Sequence, residues 1–101
     1  MQKLPEKSRN QVIRFPLGQI VATPGALRLL ERHGISPTSL LARHVQGDWG
    51  TVPPDDQTAN DEALQYDGRI LSSYTLGTND VLWIITEHDR STTTILCPSE
   101  Y

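Results

Sequence analysis

Hydrophobic and polar positions follow two regimes along the chain. Up to residue 68 the apolar residues come in short clusters broken by Pro and Gly, and from residue 69 onward they come in runs rich in Ile, Val, Thr and Tyr. The second regime reads as strands. RILSSYTL, VLWIIT and TTTILC, separated by the turn strings GTND and EHDRS, have the β-branched content and punctuation of an antiparallel meander. VLWIIT is the most apolar of the three and is expected at the centre of the sheet, covered on both faces. Pro98 ends it.

In the first regime, helices are marked by their ends. Thr23 before Pro24, with Arg32 and His33 ahead of Gly34, predicts a helix capped by a hydroxyl and closed by a glycine. The same grammar repeats at Ser36–Pro37 and runs through SLLARHV to Gly47. GDWGTVPPDD has the Gly, Pro and Asp content of a loop, and a third helix is expected from Asp55 or Asp56 to Gly68, with acidic residues at its positive end. Upstream, VIRF and LGQIVAT are two short extended candidates, with a bend at Pro16 and Gly18. The expected class is α+β. N-terminal short strands and two to three short helices pack on a C-terminal three-stranded antiparallel meander, forming a single domain over residues 12–101 behind a flexible basic leader over residues 1–11.

Length and composition narrow the picture. The 101 residues, 37% hydrophobic and 21% charged, suit one globular domain with a thin core. No apolar run approaches the roughly 18–20 residues that span a bilayer, so no membrane partner is expected. The lone Cys97 forms no internal disulfide and no zinc site by itself, which reads as a reduced, cytoplasmic setting. The net charge of −3 hides an asymmetry: residues 1–14 sum to +3, while the remainder sets five Arg against eleven acidic residues, for −6. A body of −6 is repelled by phosphate backbones unless its arginines gather, so direct nucleic-acid binding by it is not expected.

The strings FPLGQIVATPGAL, LLARHVQGDWG, the AND of Ala59 to Asp61, GRILSSY, WIITEHDRSTTTIL and the closing PSEY resemble a family of short bacterial proteins associated with plasmids and integrative elements. Some of its members carry the label of a type I restriction subunit. The resemblance runs from about Phe15 to Tyr101, and the chain departs from the pattern only in its longer leader. It implies a mobile-element setting and assigns no chemistry.

Two constellations could carry function. His44, near the end of the second helix, could act as a base, and with Arg69, Tyr74 and Thr93 it could fill the roles of a metal-independent ribonuclease: base, acid and cation for the phosphorane. The plainer reading makes His44 a satisfied core histidine and the threonines β-formers. The second constellation is a partner surface of Asp48, Trp49, Asp55, Asp56, Asp61 and Glu62, in which Trp49 either plugs the core or stands out as an anchor. Phosphate-binding loops, dinucleotide fingerprints and CxxC pairs are missing, so no cofactor and no metal are expected.

Three functions follow. The first is an accessory protein that binds a host protein or protein complex, an acidic anti-defence inhibitor covering a basic nucleic-acid groove. The second is the ribonuclease-like enzyme using His44 and Arg69, and the third is a structural or regulatory homodimer joined through an edge strand of the meander. Five arginines gathered beside His44 would favour the enzyme; dispersed, they favour the binder.

Overall fold

A computed structural model describes residues 12–101; the leader expected over residues 1–11 lies outside them. The described residues form β1 (Gln19–Ala22), α1 (Pro24–His33), α2 (Pro37–Val45), α3 (Pro54–Tyr66), β2 (Ile70–Leu76), β3 (Asp80–Thr86) and β4 (Thr92–Leu96), followed by a 3-10 turn over Pro98–Glu100. This is an α+β fold. No helix among these residues is long and apolar enough to cross a membrane.

The helix ends obey the local rules. The Thr23 hydroxyl accepts from the Ala26 amide, and Gly34 closes α1 in the left-handed region at φ 64°. Ser36 caps α2 in the same way, through Thr38. Helix α3 starts at Pro54, just before the expected acidic residues, and its N-cap Pro53 has no polar side-chain atom to offer. Asp55 and Asp56 in the first turn supply the negative charge instead. A carboxylate also serves α1, from a distance: Glu100 accepts from the Thr23 hydroxyl at 2.5 Å and from the Cys97 amide at 2.8 Å.

The sheet order is β1-β4-β3-β2, with β1 parallel to β4 and the other pairs antiparallel. The meander is therefore present, but the N-terminal strand joins it as a fourth strand and makes the sheet mixed. Of the two extended segments expected upstream, only Gln19–Ala22 is a strand. VIRF is irregular: Phe15, before a proline that has no amide to give a ladder, turns into the core at 5% exposure, and the Arg14 amide donates to the Val45 carbonyl.

The core lies between the sheet and its helices. Ala26, Leu30 and Leu40 pack on Tyr74, Leu76, Leu82, Ile84 and Ile95, while Phe15, Trp49, Val52 and Ala63 pack on Ile70. Strand β3 lies between β2 and β4, as expected, yet only its helix side is fully covered. On the opposite face Ile85 is buried and Val81 and Trp83 are half-buried, with the Tyr101 ring against Trp83 at 5.7 Å.

The two edges of the sheet differ. On β2, the Asn60 side chain donates to the Leu71 carbonyl at 2.8 Å and accepts from its amide at 3.1 Å, as a neighbouring strand would. Two residues on, Ser73 donates to the Trp49 carbonyl and accepts from the Thr51 amide. Gly50, at φ 76°, lets that loop lie so close that a Cβ would sit 1.9 Å from the Ser73 oxygen. The β1 edge has no such cover among the described residues.

Candidate functional site

Helix α2 turns Leu40 and His44, one turn apart, onto the sheet. His44 has no exposed surface. Its Nδ1 lies 2.6 Å from the Ser72 hydroxyl and its Nε2 2.9 Å from that of Thr86. Thr86 meets Thr93 at 2.7 Å, and Thr93 donates to the Leu17 carbonyl at 2.7 Å. A carbonyl only accepts, and that sets the direction of the whole chain. Thr93 spends its proton on Leu17, so Thr86 donates to Thr93, His44 donates from Nε2 to Thr86, and the Ser72 hydroxyl donates to Nδ1. The imidazole is neutral with its proton on Nε2.

The surroundings enforce that state. The Phe15 ring meets the imidazole edge-on at 5.2 Å and Trp49 does so at 6.0 Å. Burial pushes the His44 pKa down to about 4. Ser72 and Thr93 are as inaccessible as the histidine. The arrangement is a polar lock inside the core and presents no base to a substrate.

The remaining residues of the ribonuclease constellation lie elsewhere. Tyr74, 1% exposed, donates to the Asp48 carbonyl at 2.6 Å, and burial pushes its phenol up to about 12. Arg69 precedes Ile70 on β2 and donates to the Tyr101 hydroxyl, stacking against that ring, with Tyr101 in turn on the helix-free face. The structure thus links Thr93 to His44 only through Thr86 and leaves Tyr74 and Arg69 apart from them. Ser72 and Thr86, which complete the network, come from the neighbouring strands β2 and β3.

The five body arginines are dispersed. Arg43 binds Asp48 at 2.6 Å and lies over the Tyr74 ring, an arrangement that holds the Asp48 carboxyl below its usual range. Arg90 donates to the carbonyls of Ala63 and Gly68 at the end of α3 and lies over Phe15. Arg32 reaches Asp80 at 3.6 Å, and Arg28 is exposed on α1. No positive pocket forms beside His44.

The partner constellation divides too. Trp49 is a core plug at 6% exposure, its indole N–H donating to Asp61 at 3.2 Å, so it is not an exposed anchor. Asp48, Asp55, Asp56, Asp61 and Glu62 are exposed. The last four share α3, which has no Lys or Arg. Helix spacing puts Asp55, Ala59, Glu62 and Tyr66 on one outward stripe, and Tyr66 is 77% exposed. Beside this helix an open groove of about 520 Å³ is lined by Arg14, Gly47, Trp49, Asp61, Leu64 and Gln65.

Among the described residues, no group of three or more His, Cys, Asp or Glu is placed to hold a metal ion. Comparison with family models, curated proteins and solved structures gives no match.

Proposed function

We propose that the protein is a binding protein of a mobile genetic element, acting in the cytoplasm. It docks the acidic face of α3 on a basic surface of a host protein, an anti-defence inhibitor that occupies the groove where a nucleic acid would lie. The carrying observation is that Asp55, Asp56, Asp61 and Glu62 stand exposed on one helix without a single cation. Asp55 and Glu62 are separated by about 10 Å along the helix axis, and Tyr66 offers an aromatic contact at the end of the stripe. A concentration of charge of one sign steers encounter with a surface of the other sign and repels competing polyanions. The enzymatic alternative needs a base that meets substrate, and His44 is enclosed.

The test is capture from a bacterial lysate by the protein and by a variant carrying Asp55→Asn, Asp56→Asn, Asp61→Asn and Glu62→Gln. The expected result is a partner that is released by double-stranded DNA and by salt, and that the neutralised helix fails to hold. A neutralised variant that retains the same partner with the same salt dependence would refute the proposal.

A further inference from the structure

From the open edge of β1 we infer that two copies of this chain pair through it, antiparallel about a two-fold axis at Val21. The amides of Gln19 and Thr23 donate inward, to the carbonyls of Ser91 and Ile95 beside and within β4. Strand alternation then turns the N–H and C=O of Ile20 and Ala22 outward. Among the described residues nothing covers them, whereas the β2 edge is closed by Asn60 and by the loop over residues 49–51. Folded proteins blunt an open edge by shortness, charge, proline or a bulge. Gln19–Ala22 is short, at four residues, but carries no charge, proline or bulge and shows Ile20 at 49% and Val21 at 39% exposure.

The occupant is argued from self-complementarity. With Val21 on the axis, Ile20 of each copy faces Ala22 of the other in a hydrogen-bonded pair, a large side chain against a small one. The two Val21 side chains meet in the close non-hydrogen-bonded pair, which favours β-branched contacts. Four intersubunit hydrogen bonds form and an isologous interface closes. Charge permits it: the strand is neutral, and acidic α3 packs by β2, at the far end of the sheet order. Joined at β1, two copies make one eight-stranded sheet with their acidic helices at opposite ends. The inference does not depend on what α3 binds.

A four-residue edge is small, so association belongs to the weak, concentration-dependent class. The test is analytical ultracentrifugation of the full chain up to about 1 mM. The wild type is expected to shift from monomer to dimer. Ile20→Pro removes only an outward amide and is expected to weaken the dimer about 10- to 100-fold. Val21→Lys, which sets two cations together on the axis, is expected to abolish it. Thr75→Lys, an exposed position on β2, is expected to change nothing. Circular dichroism confirms that each variant is folded, and the surface position of Val21 keeps the test alive if Ile20→Pro is not. A wild type that stays monomeric throughout, or a folded Val21→Lys that dimerises as the wild type does, overturns the inference.

Discussion

Acid should unlock the core at His44 before it reaches the carboxylates. The folded protein holds the imidazole at about 4, against 6.5 for a free histidine. The unfolded chain therefore takes up a proton that the folded chain refuses, and stability falls as pH drops from about 6.5 to about 4. It is fully present above that window. At 1.36 kcal/mol per pKa unit, the loss is about 2 kcal/mol by pH 5 and about 3 kcal/mol by pH 4. Against a total of about 5–15 kcal/mol for a domain of this size, that is a large share. The molecular reason is the directed chain: a protonated Nδ1 forces the Ser72 hydroxyl to turn away from the only acceptor it has in the network. Urea unfolding at pH 7, 6, 5 and 4 reads the effect, with the midpoint dropping by about 1 M between pH 7 and pH 5. His44→Gln, which does not titrate, provides the control, and its midpoint should be lower at pH 7 but flatter across the window. Asp48, held low by Arg43, adds stability above 3.8 that is lost only below that value, so its contribution falls outside the same window. Parallel curves for wild type and variant, or an imidazole titrating near 6.5 by NMR, would refute the reasoning.

Two further predictions concern the closed edge. Asn60→Leu strips the Leu71 amide and carbonyl of both partners, costing about 2–4 kcal/mol and lowering the melting temperature by about 10 °C or more; an unchanged thermal melt would show that water replaces the amide. Gly50→Ala should cost clearly more than Gly34→Ala in urea unfolding. Both sit at positive φ, but a Cβ at residue 50 strikes the Ser73 oxygen at 1.9 Å while one at residue 34 meets nothing within 4 Å. Equal costs would mean that the loop simply moves off the edge.

Where structure is dictated locally, the sequence was legible. Thr23–Pro24, Ser36–Pro37 and Gly34 mark α1 and α2 because caps act within a few residues, and the Ile, Val and Thr runs mark β2, β3 and β4 for the same reason. The parallel pairing of β1 with β4 was not legible, because it joins segments about 70 residues apart and leaves no local trace. Arg90 shows the same limit: it looks like a turn residue beside Asp89, yet it serves the carbonyls at the end of α3. At the site, the plainer reading of His44 was available from its position on a helix facing a sheet. Its partners Ser72 and Thr86, and Thr93 beyond them, come from three strands whose alignment only the fold supplies. Trp49 belonged to a loop string that suits a plug and an anchor equally, and only the course of that loop across β2 decides between them.

The one-way run of hydroxyls from Leu17 to His44 also acts as a vernier. Strands such as VLWIIT and TTTILC are slippery, since neighbouring residues resemble each other enough for a shifted alignment to bury nearly as much oil. A single-step slip of β4 only exchanges Thr93 for Thr92 or Thr94, but a two-step slip that keeps the faces and brings Ile95 opposite Thr86 would strand Thr86 and the imidazole in a dry interior without a terminus for their protons. That face-preserving slip is thereby made costly out of proportion to the contacts it loses, and a chain with a thin core gains a check on one alignment that grease alone would accept.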